Sequence, residues 1–215
     1  MLKDLISPDV DYDAKWQMME KVYKKLNYKV FRKGIYNLNI FGIRTNDPEV
    51  NVFNDYMGVF FYKNVLGVPR KLFFIWKATT DPGLFYLNHP LLVKGTAILK
   101  EGQYLSTFAL DMHRGKYLAL CQRLGPVTVY RDRDKDNVLN FINPETGYFG
   151  INLHRASKYR LLHYVGKYSA GCQVTQNYDE YGEFINICKN AAHYWGNSFS
   201  YTLLTESQIN EGVKK

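Results

Sequence analysis

The sequence predicts an α+β fold that is mostly β, with one helix near the N-terminus and a second late in the chain. Helical periodicity of three and four residues is confined to two segments, whereas short β-rich runs separated by turn residues occupy most of the chain between them. The aromatic content of 16%, with 18 tyrosines among 215 residues, also favours strands.

The N-terminal helix is predicted over residues 11–27. Asp11 or Asp13 can cap such a helix, and lysines lie opposite its apolar stripe. We therefore expect residues 1–33 to form an N-terminal helical segment. Apolar side chains recur at three- and four-residue intervals at Trp16, Met19, Val22, Tyr23 and Leu26.

Short β-like runs follow the first helix, and the connection Val65–Pro69 predicts a hairpin between two of them. Residues 111–122 are predicted as a short insertion with a helical turn around His113 and Tyr117. The predicted runs cover residues 37–44, 57–62, 71–77, 104–110 and 127–130.

The second helix is predicted over residues 179–195 and ends at Gly196 and Asn197. A final strand over 199–204 completes a domain that we expect to span residues 34–206. The remaining residues, 207–215, are predicted as a frayed tail. One face of the helix is formed by Phe184, Ile187, Cys188, Ala191 and Trp195.

One histidine and one cysteine, His154 and Cys172, lie eighteen positions apart and suggest a nucleophilic site. The alternating run 148–153 predicts a strand that ends at the histidine. Ser169, Ala170 and Gly171 precede the thiol, and such small residues allow the tight turn and close substrate approach that an exposed nucleophile needs. The alternative is a buried structural cysteine and a hydrogen-bonded histidine.

These residues resemble the signature of the L,D-transpeptidase catalytic domain, in which a histidine is followed at a similar interval by Ser/Thr-His-Gly-Cys. The longer context, across residues 38–206, resembles phage-encoded lysis proteins. The resemblance implies an L,D-transpeptidase-like fold in which Cys172 is the nucleophile and His154 its base. It also implies that Ser169 and Gly171 shape the turn and that backbone amides around Gly171 and Cys172 form an oxyanion hole.

Two positions depart from this family pattern. Ala170 stands where the family has its second histidine, and Gln173 begins the pair that replaces a hydrophobic residue followed by Arg or Asn. The departures favour hydrolysis, with water as the acceptor, over transpeptidation. His163, between the two halves of the motif, is a candidate second imidazole.

The group that orients His154 is not fixed by the sequence. Asn152, two residues earlier on the same strand face, is one candidate, and a backbone carbonyl is the other; the resemblance favours the carbonyl. Arg155 begins a basic stretch that either meets substrate carboxylates or forms a solvated loop. A reactive enzyme would need a thiol at Cys172 whose pKa is lowered.

The resulting functional prediction is an endolysin-like peptidoglycan peptidase that cleaves the wall stem peptide or cross-link through an acyl-enzyme on Cys172. The alternative is a non-catalytic cell-wall-binding or virion structural domain that retains the fold. We expect peptidoglycan as the partner, no cofactor and no nucleic acid, since the net charge of +8 is spread without a recognition motif. The sequence leaves oligomeric state open.

The N-terminus has no apolar signal region and no apolar run is long enough to span a membrane. We therefore expect synthesis in the cytoplasm and action at the bacterial wall, either after phage-mediated release or as part of a virion.

Three alternating carboxylates, Asp132, Asp134 and Asp136, resemble the first half of a calcium loop, although a charged turn is the alternative. The other cysteines, Cys121 and Cys188, are predicted as core. The histidines predicted to be structural are His89, His113 and His193.

Overall fold

The computed structural model describes residues 1–213 and places eleven strands and five helices in that range. The strands are β1 (Asn39–Arg44), β2 (Asp55–Val65), β3 (Val68–Thr79), β4 (Thr96–Leu99), β5 (Gly102–His113), β6 (Tyr117–Gln122), β7 (Val127–Asp132), β8 (Glu145–Gly147), β9 (Leu153–Arg155), β10 (Gln173–Thr175) and β11 (Phe199–Thr205). The helices are α1 (Leu2–Ile6), α2 (Tyr12–Lys25), α3 (Leu84–Asn88), α4 (Tyr178–Trp195) and α5 (Glu206–Val213).

Eight of these strands form a closed barrel in the order β1-β11-β5-β6-β9-β10-β3-β2. Two neighbouring pairs, β1 with β11 and β9 with β10, are parallel, and the other pairs in the barrel are antiparallel. The remaining strands form a separate sheet in the order β4-β7-β8. The coarse α+β, mostly-β prediction is therefore confirmed.

The barrel strands bury both faces, against different helices. On one face, α4 packs with Trp76 and Phe184 in contact, their ring centroids 6.0 Å apart. On the other face, α1, α2 and α5 cover Phe41, Phe60 and Phe73. The helices predicted at residues 11–27 and 179–195 are confirmed to within two residues at each end.

The predicted hairpin between β2 and β3 is confirmed, with Leu66 and Gly67 at φ values of 51° and 83°. The prediction of a helical turn within residues 111–122 is wrong, because this segment is a second hairpin between β5 and β6. Three residues, 114–116, form its turn, and two of them, Arg114 and Gly115, have positive φ.

Two further predictions need correction. The strand expected over 148–153 begins only at Leu153, so that His154 is the middle residue of β9 rather than the residue after a strand. The tail expected to fray from residue 207 is instead helix α5, whose Ile209 is fully buried. The last two residues of that predicted tail, 214–215, lie outside the described residues. In the part of the chain that the structure describes, no helix has the length and apolarity of a membrane span.

A buried ionic network joins β1 to the end of β3. The Arg44 side chain donates to Asp81 (Nε–Oδ1, 2.8 Å), and Asp55 accepts from the backbone amides of Thr45 and Thr80, both at 2.8 Å. Burial and the neighbouring Asp81 charge raise the pKa of Asp55 to about 6, although the bonds from Thr45 and Thr80 favour its charged form.

This raised pKa predicts that Asp55 contributes less to stability as pH rises. The folded-state pKa of about 6 lies above the usual 3.8, so the contribution is complete below pH 4 and is lost as pH rises through 6. We expect the difference in free energy of unfolding between the natural protein and Asp55→Asn to shrink by about 1–3 kcal/mol between pH 4 and pH 7. Urea unfolding of both proteins at each pH measures this difference in free energy.

The exposed Asp47→Asn variant is the control for losing one carboxylate outside the network. A wild-type advantage over Asp55→Asn that stays constant from pH 4 to pH 7 would contradict the prediction.

Candidate active site

The parallel pairing of β9 with β10 brings Cys172 next to Asn152. Gln173 lies opposite Leu153, and its amide donates to the Asn152 carbonyl at 2.9 Å. The residues that precede this pair, Cys172 and Asn152, are therefore neighbours as well. Residues two apart along a strand, such as Asn152 and His154, point to the same face and are separated by about 7 Å. The thiol, Asn152 and His154 therefore lie on the same face of the sheet.

The Cys172 thiol is held between two backbone groups. Its Sγ donates to the Gly150 carbonyl at 3.5 Å and accepts from the Asn152 amide at 3.4 Å. Within residues 1–213, Sγ makes no hydrogen bond to His154. Cys172 is partly exposed, whereas Cys121 and Cys188 are buried, as predicted.

The resting site is neutral. Burial raises the pKa of Cys172 to about 11, although the Asn152 amide favours the thiolate. Burial, followed by the proximity of His113, lowers the pKa of His154 to about 3. These pKa values differ from the lowered thiol pKa that a preformed thiolate would need: the pair is a thiol and an unprotonated imidazole.

The tautomer of His154 follows from its hydrogen bonds. Its Nδ1 lies 2.9 Å from the Arg155 carbonyl oxygen, which can only accept, so Nδ1 carries the proton. The hydroxyl of Tyr117 lies 3.3 Å from both Nδ1 and this carbonyl. Nε2 is left with its lone pair, as a general base requires.

The orienting group of His154 is thus a backbone carbonyl, which was one of the two candidates. Asn152, the other candidate, contacts a different ring: its amide nitrogen lies 3.1 Å from Nδ1 of His113. Its side-chain oxygen accepts from the Gln122 amide at 2.9 Å.

His113, which was predicted to be structural, lies in the site. Its ring stacks on His154, with centroids 4.2 Å apart, and burial lowers its pKa to about 4. His163, the predicted second imidazole, is instead exposed on the loop between β9 and β10. The turn signal at Gly115 and the β-rich run before it would have placed His113 at a strand end.

The turn before the thiol is built by Ser169. Its Oγ donates to the Cys172 carbonyl at 2.8 Å and accepts from the Gly171 amide at 3.1 Å. Gly171 has φ 114°, and a Cβ there would overlap the Ala97 carbonyl oxygen. Because the Gly171 amide is already bonded, it is not a free oxyanion donor, whereas the Cys172 amide donates no hydrogen bond to residues 1–213. Ala170 is partly exposed at this turn.

Gln122 is a residue that the sequence analysis missed. Its Oε1 accepts from three consecutive amides, those of Phe149, Gly150 and Ile151, at 3.0–3.2 Å. Its Nε2 donates to the Gly147 carbonyl at 2.9 Å. The side chain thereby fixes the segment whose Gly150 carbonyl contacts the thiol.

Gln173, expected to bind or orient substrate, is a buried framework residue. Its Oε1 accepts from the Tyr201 hydroxyl at 2.9 Å, and its Nε2 donates to the carbonyls of Thr80 and Gly171, both at 3.3 Å. With both ends of its amide bonded inside the protein, Gln173 is not available to substrate.

The calcium hypothesis for residues 132–136 is not supported. The carboxylates of Asp132 and Asp134 accept from Asn140, and that of Asp136 accepts from the Val138 amide. No group of three potential metal ligands converges anywhere in the described chain. The charged turn is the better interpretation.

A cleft of about 600 Å³ opens beside His113 and His154, and we call it the basic cleft. It lies between the β5–β6 hairpin and the loop from β9 to β10. Arg155 is at its inner end. A larger cavity, of about 800 Å³, lies near Lys29 and Trp195 and shares no residue with it. The basic cleft is lined by His113, Arg114, Lys116, Tyr117, His154, Arg155, Ala156, Ser157, Lys158, Tyr159, Lys167 and Tyr168.

Comparison of the chain with protein-family models, curated proteins and solved structures finds no significant match. The interpretation of the site therefore depends on its geometry and on the local resemblance of its motif.

The pKa of Cys172 predicts how its alkylation depends on pH. With a pKa of about 11, the rate constant for iodoacetamide should rise about tenfold per pH unit between pH 7.5 and 9.5, because only the thiolate reacts. Mass spectrometry of the labelled peptide measures the rate, and Cys172→Ala identifies background labelling of other cysteines. A rate that already levels off near pH 7 would contradict the neutral resting pair.

Proposed function

We propose that this protein is a cysteine peptidase of bacterial peptidoglycan, which cleaves the wall stem peptide or cross-link through an acyl-enzyme on Cys172. The observation that supports it best is the free Nε2 lone pair of His154 on the sheet face that also presents a partly exposed thiol. The local resemblance to the L,D-transpeptidase motif supports the choice of substrate.

In the first step, the thiol sulfur attacks the carbonyl carbon of the scissile peptide bond. The thiol proton moves from its bond with the Gly150 carbonyl to Nε2 of His154, while the new C–S bond forms. The amide of Cys172 donates to the developing oxyanion. Collapse of this intermediate breaks the C–N bond, and the imidazolium returns the proton to the leaving amine.

In the second step, water replaces the amine. His154 accepts a proton from water as the water oxygen attacks the thioester. Collapse of this intermediate breaks the C–S bond and releases a carboxylic acid, and the imidazolium returns its proton to the departing sulfur to restore the Cys172 thiol. The departures from the family motif favour this hydrolysis over transfer to an amine.

The neutral resting pair requires that proton transfer and attack occur together. A free thiolate is rare when the thiol pKa is about 11 and the imidazole pKa is about 3. Moving the proton only as the C–S bond forms avoids a separated charge pair in a buried site. The His154 tautomer, fixed by the Arg155 carbonyl, keeps the base ready for this transfer.

A non-catalytic wall-binding or virion structural domain is the second candidate. The observations that favour it are the raised thiol pKa and the engagement of Sγ with Gly150 and Asn152 instead of His154. For both the peptidase and the non-catalytic domain, we propose that the protein acts at the bacterial wall, after phage-mediated release or as part of a virion.

Mass spectrometry of muropeptides tests the peptidase directly. Purified peptidoglycan incubated with the protein should yield new stem-peptide fragments, and Cys172→Ala should abolish them because no acyl-enzyme forms. His154→Gln should lower the rate by at least 100-fold, because removing a general base typically has an effect of this order.

His163, which is exposed on the loop between β9 and β10, provides the matched control. The His163→Gln variant should release stem-peptide fragments at the rate of the natural protein. Unchanged muropeptides from several wall types, with protein that is folded by circular dichroism, would refute the peptidase and favour the binding domain.

A further inference from the structure

The basic cleft contains five cationic side chains whose charge the protein does not neutralise. Within residues 1–213, none of the five forms an ion pair with an aspartate or glutamate, and no carboxylate lines the cleft. Clustered like charges repel, and an anionic ligand removes that repulsion. The five are Arg114, Lys116, Arg155, Lys158 and Lys167.

Among these, Arg155 is held in a defined orientation. Its guanidinium lies over the ring of Tyr117 at 4.1 Å and that of Tyr178 at 5.3 Å. One nitrogen, Nη1, donates to the Ala156 carbonyl at 3.1 Å, so the other donors of the fork are left for a ligand. A planar guanidinium binds a carboxylate through two parallel hydrogen bonds.

Arg155 is also tied to the candidate base. The link is the ring of Tyr117: the guanidinium lies 4.1 Å from the centre of this ring, and the hydroxyl of the same ring lies 3.3 Å from Nδ1 of His154. Both His154 and Arg155 line the basic cleft, so a carboxylate bound to this guanidinium would share the cleft with the candidate base. The volume of about 600 Å³ suits a short peptide segment, since pockets of 300–1,000 Å³ typically hold small ligands.

We propose that the basic cleft is a carboxylate subsite, in which Arg155 selects peptides with a free carboxylate next to the scissile bond. This inference rests on the proposed peptidase function and specifies its substrate class. The carboxylate is either the α-carboxylate that ends the stem peptide or the side-chain carboxylate of an acidic residue in it. Both have the same chemistry, and amidation of either one separates them.

Calorimetric binding tests this without requiring catalysis. The probes are three synthetic stem peptides of one sequence: the free acid, the terminal carboxamide, and the side-chain carboxamide. Full-length Cys172→Ala protein should bind the free acid at least tenfold more tightly than one of the two amides, and that amide identifies the carboxylate. Adding Arg155→Gln should reduce the preference to less than threefold.

Arg70→Gln is the matched control, because Arg70 is an exposed arginine at the far end of the β2–β3 hairpin. It should leave the preference unchanged. Equal binding of all three peptides, equal losses in the Arg155 and Arg70 variants, or no binding of any peptide would each overturn the subsite.

Kinetics separate this inference from the proposed function. In the protein with its thiol intact, Arg155→Gln should raise KM for the free acid at least tenfold and change kcat less than threefold. Cleavage of acid and amides with equal kcat/KM would overturn the subsite and leave the peptidase standing. Selective binding of the acid without any cleavage would overturn the peptidase and leave the subsite standing.

Discussion

The parallel hydrogen bonding between β9 and β10 is the contact on which the candidate site depends. These two strands of three residues each join the β6 side of the barrel to the β3 side, and the same register sets Cys172 beside Asn152. Parallel neighbours need a long crossover, and here residues 156–172 provide it. Ala156 at its start and Val165 near its middle anchor this crossover in a small core with Phe53 and Val174, and most residues between these two anchors are exposed.

Positive charge and burial together determine the protonation of the site. The same buried setting that gives His154 a free Nε2 also makes it a weak base and makes Cys172 a weak acid. Nearby arginines, including Arg155, lower the pKa of both His154 and His113 further. A substrate carboxylate in the basic cleft would offset this field, so binding of the charged group and activation of the base would reinforce each other.

Much of the fold was predictable because its signals are local. The periodicity around Trp16 and Phe184 gave both long helices, and the turn at Gly67 gave the first hairpin. The candidate thiol and histidine also came from a local signal, since both lie within one short passage of the sequence. His113 and Gln122 were missed because they lie 41 and 32 positions before His154 and reach the site only through the pairing of β5 with β6 and of β6 with β9. No local pattern distinguishes such long-range partners from ordinary strand residues.

The residues proposed for chemistry and the exposed residues of the crossover lie in separate parts of the candidate site. The groups proposed for chemistry lie on or next to short strands and at a glycine turn that tolerates no side chain, whereas Lys158 and Tyr159 line the cleft from an exposed part of the crossover. If the protein is the peptidase proposed above, substitutions at Lys158 and Tyr159 would change which peptide is accepted without altering the reacting groups. On the proposed function, specificity would therefore diversify at these two positions of the crossover while the barrel stays unchanged.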